Sequence, residues 1–95
     1  LVDAGACAVL LELVPATLAE TVTNRLPVPV IGIGAGVACD GQVLVTQDLV
    51  GLNRGRVPKF VKQYDTLGDK MADAVSQYVA DVRSRQFPTQ DHTFE

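Results

Sequence analysis

The chain has 95 residues, 47% of them hydrophobic and 20% charged, with 8 Lys and Arg against 11 Asp and Glu for a formal net charge of -3. That balance excludes a disordered chain, and it offers no basic stripe for nucleic acid. The longest unbroken apolar run, Ala6 to Leu11, falls far short of the ~18 residues of a membrane span. A protein that handles small molecules fits these limits better.

Residues 6 to 13, "ACAVLLEL", read as a fully buried strand, because the run is short, apolar and without polar alternation. Residues 16 to 26 place Leu18, Val22 and Leu26 at a spacing of four, the mark of an amphipathic helix, with Pro15 where a first-turn proline is tolerated. Pro27 and Pro29 end that helix, since the residue before a proline is pushed out of the α region. A second strand, "VPVIGIG", follows from Val28, then a loop from Gly34 to Gly41 with Asp40-Gly41 as turn chemistry, then a third short strand, "QVLV", from Gln42. Three apolar strands with a helical crossover imply a parallel α/β sheet.

Gln47 to Pro58 reads as a loop with a short helical turn, and "KFVKQY" from Lys59 as one more helical segment. From Asp69 to Arg85, the residues Met71, Ala72, Val75, Tyr78, Val79 and Val82 form one apolar stripe on a helix of about four turns. Phe60, Tyr64 and Tyr78 are expected to pack on the apolar faces of these helices. The tail "QFPTQDHTFE" reads as a surface segment unless something holds its aromatics. A parallel sheet needs cover on both faces, so the remaining strands and helices are expected from upstream residues or from other copies. Met71 is the only methionine, and the chain is accordingly expected to be a piece of a longer one.

Among residues that could carry chemistry, Glu12 stands out as a carboxylate in an otherwise apolar run, near the end of its strand. In parallel α/β folds the carboxyl ends of strands bind ligands and carry catalytic groups. An apolar setting moves a carboxyl toward the range where it accepts a proton at neutral pH. The competing reading is a buried Glu paired with an Arg or a backbone amide.

"GIGAG", Gly32 to Gly36, meets neither dinucleotide nor phosphate-loop fingerprints, because position 37 is Val37 and no Gly-Lys-Ser/Thr follows. Its glycines would let backbone approach a ligand or a crowded strand end, or serve structure alone. Asp40 suits a turn and Asp48 a helix cap better than either suits Mg²⁺. Cys7 and Cys39 lack the spacing of a zinc or redox motif and read as reduced core thiols of a cytoplasmic protein. His92, alone in the tail, receives no catalytic role.

"DAGACAVLLELVP", "PVPVIGIGAGVACDGQVLV", "PKFVKQY" and "QFPTQDHTF", in this order over nearly all 95 residues, resemble the C-terminal part of the ketopantoate hydroxymethyltransferase family. The resemblance implies α/β architecture as the C-terminal portion of a (β/α)8 TIM barrel, with residues 1–95 as one segment supplying the last strands and C-terminal helices. At about 250 residues for a barrel, about 40% of one is present. It also implies transfer of a hydroxymethyl group from the co-substrate 5,10-methylenetetrahydrofolate to 2-oxoisovalerate, forming ketopantoate in pantothenate biosynthesis. In that reaction Mg²⁺ polarises the keto acid while a carboxylate takes the neighbouring proton.

By its match in "LELVP", Glu12 is the position that resembles the family's proton acceptor. The family's metal-binding carboxylates, and the Lys and Ser that hold the keto acid, lie on earlier strands, so no metal or cofactor ligand is assigned here. Some members carry His where Gln47 stands, and a histidine role does not carry over. The resemblance further implies a cytoplasmic homo-oligomer in which the Met71 to Val82 stripe faces a neighbour, and a segment inactive alone. Two rivals stand beside it: a self-associating half-barrel assembly module without catalysis, and another metal-dependent keto-acid enzyme such as a carbon-carbon lyase.

Overall fold

A computed structural model describes residues 1–95. Strand β1, Val9–Glu12, is followed by helix α1, Ala16–Arg25, and strand β2, Val30–Ile33. Then come the two-residue strand β3, Gly41–Gln42, the short helix α2, Thr46–Leu49, and the long helix α3, Leu67–Arg83. Single 3-10 turns cover Val2–Ala4 and Gln90–His92. The strands form one parallel sheet in the order β1-β2-β3. The expected α/β topology is therefore present.

The β1 register pairs Val9 with Val30 and Glu12 with Ile33. Backbone bonds at 2.9 Å frame it, from the Val9 N–H to the Pro29 carbonyl and from the Leu13 N–H to the Ile33 carbonyl. Helix α1 starts after Pro15 and stops at Leu26, ahead of Pro27, as its prolines dictate, with Arg25 at its negative end. It buries Ala19 completely, and Val9, Leu11, Val22 and Leu26 line one depression, so this face of β1 looks toward α1.

The opposite face of β1 carries Leu10 and Glu12, because side chains alternate along a strand. Leu10 is 56% exposed. The strand expected to be buried on both sides is thus half-buried on one face and open on the other. α1 covers a single face, and nothing in this chain covers the second. β3 is shorter than the expected "QVLV" for a related reason: beyond Gln42 it has only the β2 edge to pair with, and one further bond, Val43 N–H to the Gly32 carbonyl at 3.0 Å, ends the ladder.

"KFVKQY" is not a helix. It begins in a turn closed by the Val61 N–H on the Pro58 carbonyl at 3.0 Å, and the Tyr64 N–H then donates to the Leu49 carbonyl of α2 at 2.7 Å instead of to a carbonyl of its own segment. Tyr64 and Tyr78 are largely exposed, and so are Met71, Val75, Val79 and Val82 of the α3 stripe. The helix itself forms where the spacing places it, two residues earlier at each end. Its first turn crosses α2's exit, with Leu67 N–H to Val50 carbonyl at 3.0 Å and Gly68 N–H to Gly51 carbonyl at 2.9 Å. Gly51 and Gly68 are both buried at this crossing, where a Cβ on either would collide with backbone.

The tail is ordered against α3. Phe87 meets Tyr78 edge-on with ring centroids 5.6 Å apart, and the His92 ring lies 5.1 Å from Phe87. The Thr89 hydroxyl and His92 Nδ1 are 2.8 Å apart, closing a capping box around the last 3-10 turn.

Only 6 of 95 residues are buried, and the radius of gyration is 22.0 Å. A self-contained domain of this size measures about 13 Å. The chain holds its secondary structure without enclosing a core of its own.

Candidate functional site

The carboxyl ends of the three strands converge on one edge of the sheet, where Glu12, Ile33 and Gln42 are the last strand residues. Glu12 stands on the face opposite α1. Its side chain is exposed and takes part in no hydrogen bond or ion pair within residues 1–95. The apolar enclosure expected around it is also missing from this chain, for the reason that leaves Leu10 open.

The next residue turns sharply. Leu13 has φ 54°, in the left-handed region that costs an L-residue roughly 1–2 kcal/mol. Directly beyond β2, Gly34 has φ 62°, so neighbouring strands leave the sheet through left-handed residues. A Cβ on Gly34 would lie 2.7 Å from Leu13 Cδ2 and 3.1 Å from Phe60 Cγ. The absent side chain is what lets Leu13 and Phe60 close over the strand end.

The remaining glycines of "GIGAG" have local duties. A Cβ on Gly32 would lie 2.8 Å from Cys39 Sγ, and one on Gly36, at φ 87°, would lie 2.7 Å from the Ala16 Cβ at the start of α1. Gln42 Nε2 donates to the Gly36 carbonyl at 2.8 Å and ties the loop across the end of β3. Together Leu13, Gly34, Gly36, Gln42, Lys59 and Phe60 line an open cleft of about 630 Å³, with Lys59 as its charged group. Glu12 does not line it. Leu13, the next residue, does.

Asp40 has a role beyond turn chemistry: its Oδ2 accepts the backbone N–H of Val30 at 2.8 Å, and Val30 is 0% exposed. Asp48 lies inside the first turn of α2, where its side chain caps nothing. Gln47 belongs to the same short helix. Cys7 and Cys39 are both free thiols, but Cys7 is exposed and not a core residue, because the segment before β1 has only one 3-10 turn beside it. No three His, Cys, Asp or Glu side chains converge anywhere in the chain. No helix is long and apolar enough to cross a membrane.

Residues 1–90 match the family model described as ketopantoate hydroxymethyltransferase. The chain belongs to that family. Among curated relatives, the 3-methyl-2-oxobutanoate hydroxymethyltransferase of Rhizobium etli is 55% identical over 91 residues, 96% of this chain and 33% of the relative. Those of Syntrophus aciditrophicus, 52% identical over 92 residues, and Carboxydothermus hydrogenoformans, 51% over 94, are matched across 97% and 99% of this chain. The chain spans about a third of the length of these ketopantoate hydroxymethyltransferase relatives.

Nothing in the sequence marks Leu13 and Phe60 as lining this cleft. A leucine in a left-handed turn has no sequence signal, since the residue type argues against the conformation. Phe60 belongs to "KFVKQY", whose pattern predicts a helix that does not form.

Proposed function

We propose that residues 1–95 form the last strands and C-terminal helices of a (β/α)8 barrel that makes ketopantoate from 2-oxoisovalerate and 5,10-methylenetetrahydrofolate, with Glu12 as the general base. The observation that carries this reading is the place of Glu12: an unpaired carboxylate at the carboxyl end of a parallel strand, on the face turned away from the covering helix. In a closed barrel that face is the interior, and the strand's carboxyl end is the catalytic mouth.

The carboxylate would take the proton from the carbon next to the keto group. The C–H bond breaks and its electron pair moves into the enolate, whose carbon bonds to the one-carbon unit; the two bonds from that unit to the folate nitrogens break, one water supplies the hydroxyl of the new hydroxymethyl group, and tetrahydrofolate leaves. Closing the barrel around Glu12 would exclude water and give it the apolar setting that its flanking residues supply only in part here. The Mg²⁺ that belongs to this reading would be held by side chains outside residues 1–95. The exposed stripe on α3 supports a homo-oligomer, with Met71, Val75 and Val79 against a neighbouring subunit. A cytoplasmic location goes with pantothenate biosynthesis.

The test is Glu12→Gln in the complete barrel enzyme. Turnover falls by roughly two to four orders of magnitude, the share a positioned general base contributes, while secondary structure and assembly are kept. Near-normal turnover in the folded variant refutes the role, and failure of the complete enzyme to form ketopantoate refutes the assignment.

A further inference from the structure

We propose that Lys59 is a specificity-determining residue for the folate co-substrate, holding a carboxylate of its glutamate end in the cleft beside the strand ends. The proposal rests on the reading of this chain as part of a ketopantoate-forming barrel.

The cleft opens one residue beyond the reacting carboxylate. Leu13 and Gly34, which directly follow Glu12 and Ile33 at the ends of β1 and β2, both line it, and Glu12 does not. At about 630 Å³ it has the size of a site for a ligand much larger than a small keto acid. Its apolar lining is left open, with Leu13 61% and Val37 95% exposed and Phe60 beside them.

The charge in the cleft is single and free. Lys59 is the one charged residue that lines it, and the chain's ion pairs, Arg54 with Asp69 and Lys70 with Asp65, leave that ammonium without a carboxylate. The surrounding stretch reinforces the sign: residues 54–64 carry Arg54, Arg56, Lys59 and Lys62 and no Asp or Glu, in a chain of net charge -3. Lys62 lines a second depression that shares Gly34, Gln42 and Phe60 with the first, so positive charge continues past the cleft. Such a patch attracts an anion.

Both substrates carry carboxylates, and their chemistry separates them. The keto acid bears its carboxylate next to the keto group, and its acidic carbon must stand at Glu12. The folate bears its carboxylates across an aromatic ring from the one-carbon unit. Only the second arrangement sends an apolar ring and then an anion away from Glu12 into a cleft that Glu12 does not line.

The experiment uses the complete enzyme and two co-substrates, 5,10-methylenetetrahydrofolate and 5,10-methylenetetrahydropteroate, which lacks the glutamate. The native enzyme is expected to favour the folate at least about five-fold in kcat/KM, through KM, with a preference that shrinks as salt screens it. Lys59→Gln cuts that preference at least about three-fold by raising KM for the folate, with KM for 2-oxoisovalerate within about two-fold of native. Lys59→Arg, which keeps the charge, keeps most of the preference. The Lys59 side chain is exposed in a turn, so these substitutions leave the fold intact.

Equal use of folate and pteroate by the native enzyme overturns the proposal, and so does a preference that salt does not change. A rise confined to KM for 2-oxoisovalerate also overturns it, by seating the keto acid's carboxylate at Lys59. A complete enzyme that forms no ketopantoate from either co-substrate removes the barrel reading and this proposal together. Ketopantoate formation with the native preference retained in Lys59→Gln removes only the role given to Lys59.

Discussion

Asp40 and Val30 are joined by a hydrogen bond of 2.8 Å between a carboxylate and a backbone N–H ten residues earlier. The bond folds the glycine-rich loop back on the start of the strand it follows, and it gives the Val30 N–H its partner. Removing the acceptor takes away the partner of a part-buried N–H.

Asp40→Ala is therefore expected to destabilise the complete protein by about 0.5–1.5 kcal/mol, the net worth of a part-buried hydrogen bond, measured by urea unfolding. Asp40→Asn keeps an acceptor oxygen and costs less. Equal losses for both would show that charge, not the hydrogen bond, holds the loop.

The edge-on contact of Tyr78 and Phe87 is expected to couple the tail to α3. A double-mutant cycle of Tyr78→Ala and Phe87→Ala should return an interaction energy toward the low end of about 0.5–1.5 kcal/mol, since Tyr78 is largely open to solvent. Strict additivity would contradict the packing.

The Lys70 ammonium, 2.7 Å from Asp65, and the Thr66 N–H hold the Asp65 carboxyl below its ordinary range. A carboxyl lowered on folding stabilises the folded state above its unfolded pKa, and that contribution disappears as pH falls through the lowered value. The stability difference between the native protein and Lys70→Ala is thus small at neutral pH, weaker at high salt, and gone in acid. A difference that grew on acidification would have the wrong sign.

Much of this architecture was legible in the sequence because local rules and packing agree. Pro15, Pro27 and Pro29 bound α1, and the four-residue spacing of Met71, Val75 and Val79 marks α3. The place of Glu12 at a strand end followed from the length of its apolar run. What stayed hidden depends on contacts far apart in sequence. Tyr64 bonds Leu49 in preference to continuing a helix, Asp40 reaches Val30, and Leu13 accepts a left-handed turn because Gly34 leaves room for it. Leu10, Cys7 and Tyr78 are all more exposed than the sequence predicts, because apolar composition gives the demand for cover and not its source.

The most direct measurement is the solvent deuterium uptake of 2-oxoisovalerate in the complete enzyme, comparing the native protein with Glu12→Gln in the absence of folate. Rapid uptake in the native protein and its loss by roughly two to four orders of magnitude in the variant is the result predicted for Glu12 as the base. Uptake at the native rate in a folded Glu12→Gln enzyme would contradict it and move proton removal to another group.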